Sequence, residues 1–568
     1  MRIILLFTLI VAGPEVLGQG VSFDWAASFG KAASNSYSIC GDSMGNVYST
    51  GWFFRTQDFD PGPDSLNFTT TSSDDIFVSK LNAAGNLVWA KHMNGTWKAY
   101  GASISTDEVL NVYVSGGFNG TVDFDPGAGA HTLTNSSHQY YDIFICKLDS
   151  SGNYAWAKKI GGAVNDFACS MIADRTGNTY TTGYFEGTVD FDPSAGTHQL
   201  TSSFGSSVFV IKLDDNGNFI WAKNLGGTSF TTTCSIVKDD AGNLYITGNF
   251  EGTQDFDPGP GIFNLTSSGA QDVFICKLDS AGNFIWAKSF GGSSTDEGYS
   301  ITADQTGHIF CAGYFQSTVD FDPGAGVFQM TSLGSQDIFI TKLDTTGNFI
   351  WAKSIGGAGS DEARSIAVDS SGNIWVAGNF SLTDDFDPGV GVFPLSSSSY
   401  EHVFVLKLNS NGDFIWAEKI GGSDMNKLII NPDGSICIHG KFLSTVDFDP
   451  GPGVFDLTAT IYESLYILKL NDLTVGVREQ ELESNGGMTI FPNPARSAFK
   501  IKINSEFKGD ERELKIYNSI GELIYAEKIS QANQNIEKEI YLNKESNGLF
   551  YVIIESSLKR FSGILIKE

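Results

Sequence analysis

The chain has 568 residues, only 18% of them charged, with 64 glycines and 43 phenylalanines. That length exceeds a single ordinary core, and many aromatic residues between glycine turns favour strands over helices. The formal net charge of −29 excludes the basic footprint that a nucleic-acid or anionic-membrane partner requires.

The acidity is uneven. Residues 484–568 carry 12 basic and 11 acidic residues, so the surplus lies before them. The N-terminus has the plan of a secretory signal: Arg2 is followed by an apolar run from Ile3 to Ala12, too short to span a bilayer, then Pro14 and Val16-Leu17-Gly18. Residues 1–18 are therefore expected to be a signal peptide, with Gln19 opening the mature chain. No later stretch has the length and hydropathy of a transmembrane helix.

Residues 19–472 are built on one repeated unit. Asp-Phe-Asp-Pro begins at Asp58, Asp123, Asp190, Asp255, Asp320, Asp385 and Asp447, in steps of 65, 67, 65, 65, 65 and 62 residues. A fixed period of this size means one supersecondary unit copied in series. The unit between Trp286 and Leu343 shows the plan. Trp286-Ala287-Lys288 precedes a Gly291-Gly292 loop with Asp296 and Glu297. Ser300 to Asp304, a Gly307-His308 turn and Ile309 to Phe315 follow. Asp320-Phe321-Asp322-Pro323 lies in a long connection before Asp337 to Leu343. Short β-branched and aromatic segments separated by Gly-Asn turns read as four strands, and their two apolar faces suit sheets covered on both sides.

The phase of the repeat predicts closure. Trp-Ala recurs from Trp25 to Trp416 and Lys-Leu from Lys80 to Lys469. The first Trp-Ala has no Lys-Leu strand before it, and the last Lys-Leu has no Trp-Ala strand after it. A strand near Phe23 to Phe29 should complete the sheet that ends near Leu470, removing the open edges of a ring. The seven cysteines include no CxxC spacing, and Cys146 and Cys276 occupy a position that other copies fill with Ile211 or Leu406. They read as buried small hydrophobes rather than a disulfide framework.

The Gly-Asn hairpins, Gly-x-Phe strands and Asp-Phe-Asp-Pro-Gly loops between Phe23 and Asn471 resemble the SBBP β-propeller repeats of secreted bacterial proteins. The resemblance implies an all-β protein with a seven-bladed β-propeller and no single activity. After a polar linker at 473–487, residues 488–568 contain Ile490-Phe491-Pro492-Asn493-Pro494, Lys515-Ile516-Tyr517-Asn518, Ser519-Ile520-Gly521-Glu522 and Asn547-Gly548-Leu549-Phe550-Tyr551. Short strands with turns suggest a small Ig-like β-sandwich. These blocks resemble the type A C-terminal sorting domain of the type IX secretion system. The resemblance implies handling by that machinery, in Bacteroidota-type bacteria, with a secreted or outer-cell-surface destination.

Two readings of the repeated loop compete. The carboxylates of Asp58 and Asp60, Asp123 and Asp125, Asp190 and Asp192, Asp255 and Asp257, Asp320 and Asp322, Asp385 and Asp387, and Asp447 and Asp449 share one side of an extended segment. With turn carbonyls they could hold Ca²⁺. Alternatively they cap the following Pro-Gly turn while Phe plugs the blade. The second is preferred, because a full Ca²⁺ loop offers more ligands in sequence. No other cofactor is implied.

In the usual propeller order the Ser300-type strand is innermost and the Trp286-type strand outermost. The Asp-Phe-Asp-Pro and Gly-Gly-Asp-Glu connections then emerge on one face, which should present Asp166, Asp296, Asp361 and Glu362 as a functional surface. The histidines read as structural: His131 and His198 share a position with Phe328, and His308 replaces a turn Asn. His439, in a strand of the last unit, reads the same way. No phosphate loop, HExxH or nucleophile elbow is present, and near-equivalent repeated Asp residues supply no distinct acid and base. The shortened seventh unit, Asp424 to Ile438, either opens that face or reflects drift. The leading expectation is a surface binding or scaffold protein with a glycan or protein ligand. The alternatives are a polysaccharide-degrading enzyme on the acidic face and an architectural protein.

Overall fold

The computed structural model describes residues 20–29, 34–71, 73–137, 139–227, 229–397, 402–459 and 463–473, and seven strands between 488 and 567. The signal expected at 1–18 and residues 474–487 of the expected linker lie outside the described residues. The chain divides after Leu473 into two compact units. Every element among the described residues is a strand, and no helix is long and apolar enough to cross a membrane.

Gly20–Leu473 forms seven four-stranded antiparallel blades. In blade 5 the strands Glu297–Ala303, Ile309–Phe315, Asp337–Leu343 and Phe349–Gly357 lie in that order from the inside outward. The second and third strands are buried at every position, as expected for sheets covered on both faces. Blade 7 has three strands from its own repeat, Asp424–Ile430, Ile436–Phe442 and Ser464–Asp472, and takes Val21–Phe29 as its outermost strand. The register runs from Val21 opposite Asp472 to Phe29 opposite Leu465. The clasp read from the repeat phase is present, and it leaves the ring without an unpaired N-terminal strand.

Recurrent contacts hold each blade and join it to the next. In blade 5 the buried Phe321 lies 5.2 Å from Phe315 and 5.4 Å from Phe339, ring centre to ring centre. The equivalent Phe of every Asp-Phe-Asp-Pro loop is buried. Burying one such ring is worth about 1.5–3 kcal/mol, so the seven rings anchor the long connections to the blade cores. Between blades, the Trp286 indole packs on the hairpin at Gly347, where φ is +81° and a Cβ would come within 3.1 Å of the ring. Glycine is required there for both reasons. Across the closing seam Trp25 does the same at Gly85, and its Nε1 donates to the Ala83 carbonyl at 2.9 Å.

The Lys-Leu lysines make a second interblade lock. Lys277 and Lys342 lie over the rings of Tyr245 and Phe310 and donate to the Thr345 and Ser410 carbonyls of the next blade, each at 3.1 Å. Lys407, over Trp375, meets Asp472 of the clasped strand pair at 2.5 Å instead. The next blade has no third-to-fourth hairpin at that place, so a carboxylate replaces the missing carbonyl.

In the second unit, Met488–Phe491, Ala498–Ile503 and Ile536–Tyr541 form a three-stranded sheet. Leu523–Ile529, Arg512–Asn518, Gly548–Ser556 and Arg560–Lys567 form a four-stranded one. Leu514 and Ile516 are buried with the half-buried Lys515 between them, the alternation of a sheet with one covered face.

Candidate functional site at the mouth of the central channel

The repeated Asp pairs are engaged by their own loops. In blade 5, Asp320 Oδ1 accepts the amides of Asp322 at 3.1 Å and Phe328 at 2.8 Å, and Asp322 Oδ1 accepts that of Gly324 at 2.8 Å. The first Asp of the other copies, Asp58, Asp123, Asp190, Asp255, Asp385 and Asp447, accepts the equivalent pair. Asp60, Asp125, Asp192, Asp257, Asp387 and Asp449 each accept the amide two residues on. A Cβ on Gly326 would fall 2.1 Å from Asp322 Oδ2, which explains the second glycine of Asp-Pro-Gly-x-Gly. This donor set fits turn capping. Among the described residues no group of three or more His, Cys, Asp or Glu side chains is arranged to hold a metal ion.

The two loop families do meet on one face: Gly161 bridges to Asp190 and Gly291 to Asp320. The expected acidic surface, however, needs correction. Asp166, Asp296 and Asp361 are buried. Asp296 accepts the amides of Gly292 at 2.7 Å and Gln316 at 2.9 Å, Asp166 that of Gly162 at 2.7 Å, and Asp361 that of Ser381 at 2.9 Å. Buried loop amides need acceptors, and these acids were recruited inward to supply them. Burial pushes Asp296 up to about 6 and Asp166 up to about 8. Glu362, by contrast, lines an open cavity.

Each innermost strand carries a β-bulge, between Ser36 and Ser38 in blade 1, Gly298 and Ser300 in blade 5, and Ala363 and Ser365 in blade 6. A bulge re-aims one side chain, and the bulged Tyr37, Tyr299, Arg364 and Asn426 line the central cavity. Around the mouth on the acidic-loop face the residues divide into two arcs.

Blades 1–3 supply an aromatic arc. Trp52 Nε1 donates to the Tyr37 hydroxyl at 3.3 Å. Ring centres then follow at 5.7 Å from Tyr37 to Tyr100, 5.7 Å to Tyr141, 5.6 Å to Phe167 and 5.0 Å to Tyr184. Tyr37 is 40% exposed, and burial pushes Tyr100 and Tyr141 up, keeping both phenols protonated. Blades 5–7 supply a charged arc around a cavity of about 360 Å³ lined by Glu362, Arg364, Asp424 and Glu463 among others. Arg364 Nε donates to Glu362 Oε1 at 2.7 Å, and its guanidinium lies 4.5 Å from the Tyr299 ring centre. Asn379 Nδ2 donates to Asp424 Oδ1 at 2.9 Å and reaches Glu362 Oε1 at 3.4 Å. Lys441 pairs with Glu463 at 3.4 Å and lies 4.0 Å from Asp424. The shortened seventh unit borders this cavity through Ser423 and Asp424.

Sequence reasoning passed over Tyr37, Tyr100, Arg364, Asn379 and Asp424. The available signal was disagreement between copies: the bulge position holds Tyr37, Ala102, Cys169, Tyr299, Arg364 and Asn426 in different blades, whereas packing positions repeat. The histidines behave as read. His131 and His198 stack on Tyr154 and Phe219 at 4.8 and 5.0 Å, and His308 caps its turn through Asp304. His439 is fully buried, and burial pushes it down to about 4. The six cysteines with described side chains are unpaired.

Comparison with known proteins agrees with this architecture. Residues 350–379 match the family model of the beta-propeller repeat, and residues 489–568 that of the secretion system C-terminal sorting domain. The chain thus carries SBBP repeats and a sorting domain that takes it through the type IX system to the cell surface or the extracellular space. An uncharacterized WD repeat-containing protein L264 of Acanthamoeba polyphaga mimivirus is 24% identical over 76% of this chain and 37% of its own length. The regulatory protein FlaEY of Caulobacter vibrioides is 25% identical over 40% of this chain and 23% of its own. The chain therefore matches well under half the length of either curated relative. Among solved structures, Sqt1 from Chaetomium thermophilum aligns over 80% of this chain and 100% of its own, at 10% identity and a TM-score of 0.35. Dimeric latent PorU from Porphyromonas gingivalis aligns over 68% of this chain and 34% of its own, at 11% identity and a TM-score of 0.13.

Proposed function

We propose that this exported propeller is a carbohydrate-binding surface protein whose ligand sits at the channel mouth on the acidic-loop face. The observation that carries the reading is the pairing of two arcs around one opening: the rings from Trp52 to Tyr184, and Glu362, Asn379 and Asp424 opposite. Tyr37 of the first arc and Arg364 of the second line the same central cavity. A sugar ring has apolar C–H faces and a rim of hydroxyls. Aromatic faces cover the former, while carboxylates, an amide and a guanidinium order the latter. The expected signal at 1–18 starts the export that the sorting domain completes, and that export delivers the mouth to where polysaccharides are met.

Hydrolysis is the second reading, because Glu362 and Asp424 approach one amide nitrogen and so lie close to each other. Each is also set against a cation, Arg364 or Lys441, whereas a glycosidase needs one carboxyl kept protonated away from positive charge. That favours binding. The test is a glycan array and calorimetry on the full chain, with Tyr37→Ala and Asp424→Ala. Retention of a neutral polysaccharide that both variants lose is the expected result. No retained glycan, or equal retention by the variants, overturns the reading. Release of reducing ends would establish hydrolysis instead.

A further inference from the structure

The centre of the ring departs from the acidity of the rest of the propeller. The central cavity, of about 100 Å³, has no carboxylate among its lining residues, which include the cations Arg364 and Lys427. Six innermost strands carry serine at one register position, Ser38, Ser103, Ser170, Ser235, Ser300 and Ser365, and blade 7 carries Lys427 there.

Four of the serines staple neighbouring blades: Ser103 and Ser365 accept the Met171 and Leu428 amides and also reach those residues' carbonyls at 3.4 Å. Ser170 Oγ takes the Ile236 amide at 3.4 Å and Ser300 Oγ the Ile366 amide at 3.2 Å. Both side chains are more than nine-tenths buried. With one lone pair occupied by the next blade, each hydroxyl keeps a proton to donate, and both Ser170 and Ser300 line the cavity. Lys427 is different again. It makes no ion pair or side-chain hydrogen bond among the described residues, while the remaining job of its position, closure of blade 7 on blade 1, passes to Asn426, whose Nδ2 donates to the Ser36 carbonyl at 2.8 Å. The titratable groups facing Lys427 are Cys40 and His439. Burial keeps the Cys40 thiol protonated, pushed up to about 12, and His439 neutral. Neither compensates an ammonium.

An unpaired cation at the centre of a fold is costly. Here it is combined with hydroxyl donors and a roomy polar cavity. We propose that the central cavity is a binding site for one small oxyanion, sulfate-, phosphate- or carboxylate-like, held by Lys427 with Ser170, Ser300 and Arg364. Three ammonium protons and convergent hydroxyls match an acceptor-only ligand, and charge-assisted bonds of this kind are about twice as strong as neutral ones. An anion here also opposes the drive of burial to neutralise Lys427. The site shares Arg364 with the charged arc of the mouth, whereas Lys427, Ser170 and Ser300 line the central cavity and not the cavity of that arc.

The test titrates the full chain by calorimetry at pH 7 and constant ionic strength, once with sodium sulfate and once with sodium glucuronate. Saturable binding of at least one anion is expected, weakened at least tenfold in Lys427→Ser. Serine already occupies this position in six blades, so the variant keeps the packing. Should it nevertheless fail to fold, the double variant Ser170→Ala/Ser300→Ala is expected to weaken binding without touching the seam. Sulfate binding identifies an inorganic oxyanion, and glucuronate binding alone a sugar acid. Absence of saturable binding by either anion overturns the proposal. So does equal affinity in Lys427→Ser or, should that variant not fold, in the double variant.

Discussion

The carboxyl groups of Asp361 and Asp384 are fully buried beside each other and beside Asp337, and neither oxygen of Asp384 has a hydrogen-bond partner among the described residues. They are brought together because the outermost strand of blade 5 pairs Gly356 and Gly357 with Asp385 and Asp384 of the next connection. Burial pushes both above the usual carboxylate range, with repulsion from Asp337 adding to it for Asp361 and repulsion from Asp361 and Asp337 for Asp384. At the position of Asp384 four blades carry Val122, Val189, Val319 and Val446, and two carry Gln57 and Gln254. Asp384→Val is therefore expected to stabilise the propeller by about 1–3 kcal/mol at pH 8, because replacing a buried charged group with a fitting hydrophobe removes its desolvation cost. Urea unfolding measures it. A loss of stability on substitution would contradict the assignment.

Buried loop acids give the propeller a pH dependence of definite sign. Asp166 is pushed up to about 8, and Asp272 and Asp296 up to about 6. A folded-state value above the unfolded one, about 3.9, means that the folded chain holds more protons. Their stabilising contribution is complete below that unfolded value and is lost as pH rises through about 6 and then about 8. Melting temperature should fall between pH 5 and pH 8.5, and Asp166→Asn, which keeps an acceptor for Gly162, should flatten the upper part of the fall. A melting temperature rising across this range would refute the assignment.

The repeated loops distinguish capping from metal binding by chemistry. Asp320 Oδ1 accepts two amides, a role that Asn can perform and Ala cannot. Asp320→Asn is expected to lie near wild type and Asp320→Ala to cost about 1–2 kcal/mol. Millimolar Ca²⁺ against chelator should leave the melting temperature unchanged. A Ca²⁺-dependent rise that Asp320→Asn abolishes would instead make these loops metal sites.

The clasp is expected to matter beyond local packing. Trp25 and Trp156 make the same contact with the next blade, through Nε1 to Ala83 and Asp215 carbonyls at 2.9 Å. Each Trp→Ala should cost about 1–3 kcal/mol, below the fully buried range because both are partly exposed. Only Trp25→Ala weakens a strand tied to its blade by noncovalent pairing alone, so it should also increase hydrogen exchange along Ser464–Asp472. Equal exchange there in both variants would show that the clasp is no weak point.

Much of the ring was legible because repetition turns sequence into geometry. Strand order, the missing outer strand of blade 7 and the burial of the Asp-Phe-Asp-Pro phenylalanines all follow from the phase of one unit. The fate of the acids was not legible in the same way. Asp296 and Glu362 look alike in sequence, yet the first caps amides out of solvent and the second meets Arg364 at an opening. Which outcome a carboxylate takes depends on amides such as that of Gln316, supplied by another loop.

The sequence by itself determined the number of blades, the closing strand and the exported class of this protein, since each is carried by local pattern, copy number or a contiguous motif. Only the tertiary structure decided the two arcs at the mouth and the uncompensated Lys427 at the centre. Those side chains come from strands and loops far apart in the chain, as the contact between Asn426 and Ser36 across 390 residues shows. They acquire a common environment only when the ring closes and aims them at one axis.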